Sequence, residues 1–294
     1  MKQDNINKIT NLITEFIQVM KENILEKDLS LMFNNFNTLK IKFKNYKITN
    51  ILSLSDTYGG YNPLKNTLIL DINDFESTID HELFHVSSSL NYLNRLLISG
   101  FHQTILKNKK VIESIGIGIN EGYTQYLAEK YFSNKRNIMS AYRYQVAIVK
   151  LVEEIVGANK MQSFYFNADL FALINELSYY NDKGKVIEFI KSLDFLHKKL
   201  SNPNYKGNNQ RITINTFRKV HIFLIETYLY KLQEEIDLGN IDEDQFNIKA
   251  STFIEQIPSA VESKKVLYND IITVDLIKDT LNRLDKEPEK VKRK

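Results

Sequence analysis

The sequence predicts an α+β protein, with a small mixed β-sheet near its N-terminus and a mainly α-helical C-terminal half. Three observations carry this prediction. The run "LKIKFKNYKI" (Leu39–Ile48) sets Ile41 and Phe43 on one face and lysines on the other, the period-two pattern of a strand. The run "NTLILDI" (Asn66–Ile72) concentrates β-forming residues after the turn cluster "TYGGYNP" (Thr57–Pro63). From Glu121 onward the apolar residues recur almost without a break at the spacing of one helical face.

The elements follow in chain order. Ile6, Ile9, Leu12, Ile13, Phe16, Ile17, Met20 and Ile24 mark a helix within Lys2–Lys27. The two strands come next. A helix is then expected to begin near Phe75, capped by Asn73 or Asp74. "RLLISGFHQTIL" and "VIESIGIGIN" flank the polar "KNKK" and fit a hairpin or irregular loops equally well. Tyr142–Val156 is strongly amphipathic and is followed by Gly157. "SNPNYKGNNQ" (Ser201–Gln210) reads as a linker, with helices expected at Ile212–Leu238, Gln245–Ile257 and Ile271–Leu284. The expected organisation is an N-terminal helical segment at 1–37, a site-bearing domain at 38–200 and a C-terminal helical region at 211–294.

Composition narrows the function. The 294 residues carry a net charge of only +3, which gives no reason to invoke nucleic acid. The basic end "KVKRK" (Lys290–Lys294) reads as a solvated tail. There is no cysteine, which excludes disulfides, thiol nucleophiles and thiolate-bound zinc and leaves His, Asp and Glu to bind any transition metal. The polar start and the lack of a long apolar run predict neither signal peptide nor membrane span. A cytoplasmic location is expected, or release by a route that needs no such signal.

The stretch "STIDHELFHVSS" (Ser77–Ser88) contains H-E-x-x-H. Residues four apart on a helix differ by about 40° and share a face, so His81 and His85 can aim both imidazoles at one point. A zinc ion, with Zn–N bonds of about 2.0 Å, requires that. Glu82 sits beside His81 but is rotated off its axis, where a carboxylate can take a proton from an activated water. Chance gives roughly 0.006 such matches in a chain of this composition.

A catalytic zinc needs a third protein ligand. The continuation with a third histidine is absent, since Ser88 and Asn91 stand where its Gly and His would be. Downstream, "GIGINEGYTQYLAEKYF" (Gly116–Phe132) places Asn120-Glu121-Gly122 at the start of a helix. Glu121 follows His85 by 36 residues, room for a second helix to run back past the first. Glu121 is therefore the candidate third ligand.

H-E-x-x-H followed by an N-E-G-x-T helix resembles the gluzincin group of zinc metallopeptidases, the thermolysin-like clan. The resemblance covers roughly Tyr58–Phe132. It implies a zincin-like fold, one Zn2+ per chain held by His81, His85 and Glu121, and a peptide or protein substrate. Peptide bonds would be hydrolysed by a metal-activated water with Glu82 as general base. It also implies an edge strand just before the motif helix that pairs with the substrate backbone. "NTLILDI" occupies that place, so Thr67, Leu68 and Ile69 are the expected substrate-binding residues.

The chain departs from the thermolysin type in two respects, one of them a longer interval between the second and third ligands. An aspartate four residues after the third ligand orients a zinc-binding imidazole there, and Gln125 stands at that position here. Gln125 can orient a ring but adds no negative charge, and Asp80 and Asn120 are the two candidates to compensate. Clan members also stabilise the oxyanion with a Tyr or His. Tyr144 is the expected residue, with Tyr142, Tyr123 and His221 as alternatives. No chemical role is expected for His102 or His197, and Arg143 is expected to be a solvated charge. Two other readings share these residues: a zinc-containing regulatory protein that kept the scaffold without turnover, and an effector protease for one preferred protein.

Overall fold

The structure is a computed structural model and describes residues 2–44, 59–202, 204–207, 209–262, 266–269, 271, 277 and 280. It is mixed α+β and mainly helical. Two compact units divide it. The first gathers 1–142 and 159–170, and the second 143–158 and 171–294. The expected linker at Ser201–Gln210 instead joins two helices inside the second unit, and the expected helix at Ile271–Leu284 lies almost wholly outside the described residues.

In the first unit, α1 (Lys2–Asn23) and α2 (Ser30–Asn37) lead into a three-stranded sheet. Its strands are β1 (Lys40–Lys44), β2 (Gly59–Asn62) and β3 (Thr67–Asp71), in the order β1-β3-β2. β1 runs parallel to β3 and β2 antiparallel to it. The sheet is therefore mixed, as expected, but its membership differs. The segment "GGYN" pairs as a strand with Leu70 to Thr67. β3 is consequently the central strand.

This corrects the expectation that Thr67, Leu68 and Ile69 offer an edge to a substrate. Thr67 pairs with both Lys40 and Asn62, Leu68 with Ile41 and Tyr61, and Ile69 with Lys42 and Gly60. Both backbone edges of β3 are already bonded within the sheet.

The motif helix α3 (Ile79–Ser87) starts later than expected, with Thr78 at its N-cap position. It is buried on nearly every side, because Ile79, Leu83, Phe84 and Val86 fill the core while Asp80, His81 and Glu82 are also covered. Phe84 stands 4.9 Å from the Phe16 ring and 6.2 Å from those of Phe132 and Phe166. Asp80 forms a 2.7 Å ion pair with Arg136, which also bonds Glu15 of α1 at 3.0 Å.

Between α3 and α4 the chain builds a second sheet, a meander of β4 (Ser89–Tyr92), β5 (Leu96–Ser99), β6 (His102–Lys107) and β7 (Lys110–Ile115). This settles the hairpin-or-loop alternative in favour of strands. α4 (Ile117–Phe132) follows, beginning three residues before Asn120. Its N-cap is Gly116 at φ +86°, where a Cβ would fall 2.1 Å from the Phe101 carbonyl oxygen. Only glycine allows that approach of β6's entry to the start of α4.

The second unit holds α5 (Arg143–Val156), most of α7 (Leu170–Leu177), α8 (Lys183–Ser201), α9 (Gln210–Asp237) and α10 (Glu243–Glu255), then a short pairing of β8 (Val261–Glu262) with β9 (Leu267–Tyr268). α6 (Ala158–Phe166) falls almost entirely in the first unit. α8 and α9 pack through stacked Phe189 and Phe223, 4.3 Å apart, and α10 stacks Phe253 on Tyr228 at 3.9 Å. Among the described residues no helix is long and apolar enough to cross a membrane.

Gly116→Ala is expected to destabilise the protein by about 2 kcal/mol more than Gly157→Ala, measured by urea or thermal unfolding. Gly157 has a similar φ of +93°, but a Cβ there would meet no atom within 4 Å, so it isolates the cost of the left-handed backbone. Equal losses would show that the Phe101 contact relaxes at no cost.

Candidate metal centre

α3 and α4 bring His81, His85 and Glu121 to one point. The Nε2 atoms of the two histidines lie 3.1 Å apart. Glu121 presents Oε2 to His81 Nε2 at 3.3 Å and Oε1 to His85 Nε2 at 3.4 Å. Ligands about 2.0–2.1 Å from a tetrahedral ion are separated by roughly 3.3 Å. The donor atoms therefore have the spacing of three corners of such a site. Among the described residues this is the one group of His, Asp or Glu side chains that could hold a metal ion.

The outer ring nitrogens decide which tautomer faces inward. Gln125 donates its amide N–H groups to Glu129 Oε1 and to the Met139 carbonyl, both at 2.9 Å. That fixes its oxygen toward His81 Nδ1, 3.1 Å away, where it accepts the ring N–H. The Nε2 lone pair of His81 is thereby left facing His85 and Glu121, the tautomer a metal ligand needs. The missing charge of a neutral Gln is met one bond further out, by Glu129. Asp80 does not supply it, since its carboxylate is paired with Arg136.

On the second ring, His85 Nδ1 faces the Ser99 hydroxyl at 3.4 Å, and that hydroxyl points its proton at the His85 carbonyl at 3.4 Å. Asn120 holds its amide nitrogen 3.5 Å from the same ring atom, while its oxygen accepts the Phe101 backbone N–H at 3.0 Å. Gln125 and Asn120 thus stand beside the outer nitrogens of the two rings. Ser99 and Glu129 join them. Glu129 carried a readable signal, since it lies four residues beyond Gln125 on α4. Ser99 carried none, because its place depends on the register of β5.

Burial and mutual charge set the electrostatics. Burial raises the Glu121 carboxyl, but the charge and hydrogen bonds of His85 and His81 outweigh it and hold the group well below the usual carboxylate range. Burial lowers His85, and Glu121 together with Glu82 reverses this and raises it. Glu82 is raised, chiefly by burial, with Glu121 adding repulsion and the histidines and the Tyr61 backbone N–H opposing. Two carboxylates and two imidazoles in so small a buried volume favour a divalent cation among them.

Tyr142 is the aromatic residue set against this group. Its ring centroid is 5.7 Å from that of His81, and its hydroxyl donates to Glu121. The Glu121 charge, then burial, then Glu82 keep the phenol protonated far above its ordinary range. Its backbone has φ +54°, a left-handed conformation that bulky residues rarely adopt. Tyr144, the expected residue, has a different place. It belongs to the second unit, where its buried hydroxyl faces His221 Nε2 at 3.3 Å and its ring meets Phe217 edge-on at 4.8 Å. Tyr123 is wholly buried between Phe101 and Tyr165.

His85 and Glu121 open into a cavity of about 200 Å³, walled by Tyr61, Pro63, Leu97, Ile98, Thr104 and also His102. His102, for which no role was expected, bonds Ser114 at 2.8 Å and Thr104 at 3.2 Å on the cavity side of the meander.

No protein-family model matches this chain, and searches of curated proteins and of solved structures return no match either.

The protein is expected to bind one zinc ion per chain by elemental analysis of purified material. His81→Ala and Glu121→Ala should abolish stoichiometric binding. Gln125→Leu should weaken the affinity by about 10- to 100-fold in a competition titration with a chelating dye. A folded Gln125→Leu protein with unchanged affinity would remove Gln125 from the site.

Proposed function

We propose that the protein is a zinc-dependent peptidase on a zincin-like scaffold, hydrolysing peptide bonds with Glu82 as general base. The observation that carries this reading is the convergence of His81, His85 and Glu121 at 3.1–3.4 Å, with the outer nitrogen of His81 fixed by Gln125. Glu82 comes from the same buried turn.

His81, His85 and Glu121 would hold the ion. When bound, it would supply Lewis acidity to a water and to the scissile carbonyl. Glu82 accepts the water's proton as the C–O bond forms, and delivers a proton to the amine as the C–N bond breaks. Burial raises its pKa, the direction that helps one carboxyl both accept and return a proton. The Tyr142 hydroxyl is the donor for the developing oxyanion, because it is the protonated phenol against the ligand group.

The sheet order suggests how a peptide would lie. Among the described residues β1 and β2 are the two edge strands, and β2 is antiparallel to β3. Its Tyr61 N–H reaches Glu82. An extended backbone alongside Gly59–Asn62 would pass the general base, so the pairing role moves from β3 to β2.

Glu82→Gln should retain its zinc while cleavage of a broad peptide library falls by at least about 100-fold. Tyr142→Phe should lower kcat by roughly 10- to 100-fold with little change in KM or zinc content. Mass spectrometry of the library before and after incubation reads both. A zinc-loaded wild-type chain that cleaves nothing would refute the peptidase reading.

A further inference from the structure

We infer that the first unit carries a subsite for an acidic side chain of the peptide, beside the metal centre; this rests on the peptidase reading. A cavity of about 410 Å³ shares Tyr61 and Pro63 as wall with the one holding His85 and Glu121. Lys40, Lys42 and Lys65 line it, and no lining residue is acidic.

These three cations surround one concavity, whereas three others of the unit face carboxylates. Lys8 pairs with Glu76, Lys135 with Glu15 at 3.2 Å, and Arg136 with Asp80 and Glu15. Among the described residues no carboxylate pairs with Lys40, Lys42 or Lys65. Three like charges around one concavity create a positive potential that an anion relieves.

The wall between them is held in place. Asn35 donates to the Val86 and Ser89 carbonyls at 2.8 and 2.6 Å, and Asn66 donates to the Asn35 carbonyl at 2.8 Å. The Tyr61 hydroxyl donates to Asn66 Oδ1 at 2.8 Å, while its backbone N–H reaches Glu82. One residue therefore links the lysine cavity to the general base. A peptide extended along β2 advances about 3.3 Å per residue, so a residue a few positions from the scissile bond can drop its side chain among the lysines. A Glu or Asp carboxylate fits both the volume and the charge.

The test uses the full-length, zinc-loaded Glu82→Gln chain and two labelled peptides that differ only in carrying glutamates or glutamines, read by fluorescence anisotropy. The glutamate peptide is expected to bind about tenfold tighter at low salt, with the advantage shrinking as salt rises. The triple variant K40Q/K42Q/K65Q, made in the same chain, should bind the two peptides alike and keep its affinity for the glutamine peptide. Equal binding of both peptides by the parent chain, or undiminished discrimination in the triple variant, overturns the subsite. Micromolar binding of inorganic phosphate without discrimination between the peptides also overturns it, by giving the cavity to a free anion. Cleavage by the unsubstituted chain is scored separately. Its absence would refute the peptidase reading while leaving the discrimination between the peptides measurable.

Discussion

The structure depends on burying α3. A helix with Asp80, His81 and Glu82 covered on three successive positions cannot sit in an apolar core unless each polar group is answered. Asp80 is answered by Arg136, His81 by Gln125 and Glu121, and Glu82 by the Tyr61 backbone. Each answer comes from a different element, so the helix ties α1, β2, α4 and the chain after α4 into one unit. The apolar residues of α3 stabilise the fold, while its polar residues specify which neighbours it must have.

The ligand group follows from that packing. Gly116 lets α4 start against the Phe101 carbonyl, which places Asn120 on the Phe101 N–H and Glu121 one residue further toward the histidines. Gln125 then falls one turn beyond Glu121, behind His81. The spacing along α4 is thus a consequence of helical geometry once its first residue is pinned. The relay from His81 through Gln125 to Glu129 reaches a carboxylate in two steps. It keeps the orienting function while leaving the charge further from the ring.

The legible part of the sequence was the part governed by local periodicity. His81, Glu82 and His85 share a turn, and Glu121 and Gln125 share the next helix, so their relation needed no knowledge of the sheet. Strand order was not legible, because "NTLILDI" reads the same as an edge or a central strand. "GGYN" reads as a turn because two glycines weaken a strand's local preference, and its pairing with β3 supplies what the side chains do not. The meander β4–β7 was ambiguous for a related reason. Its strands are short and partly exposed, with Val111 and Ile112 both about six-tenths accessible, so no strict alternation marks a buried face. Tyr142 and Tyr144 part company at a single backbone angle. With Tyr142 at φ +54°, the chain leaves helical geometry just before α5, so two tyrosines two residues apart serve different units. No helical periodicity contains that break.

The two sheets also divide the labour at the cleft. β2 presents backbone to Glu82, whereas the meander presents side chains, Leu97, Ser99, His102 and Thr104, to the cavity beside the ligands. Backbone pairing is indifferent to side-chain identity, so an edge strand such as β2 would hold a peptide without choosing it. On the proposed reading, discrimination would then come from the walls, and these are chemically distinct: aliphatic, hydroxyl and imidazole side chains on the meander side, three lysines around the other cavity that Tyr61 lines. Because Tyr61 belongs to both walls and to the Glu82 contact, a shift of its backbone would, on the proposed peptidase reading, alter catalysis and selection together. On that reading β2, and not the more apolar β3, is the strand through which substrate choice and chemistry would meet.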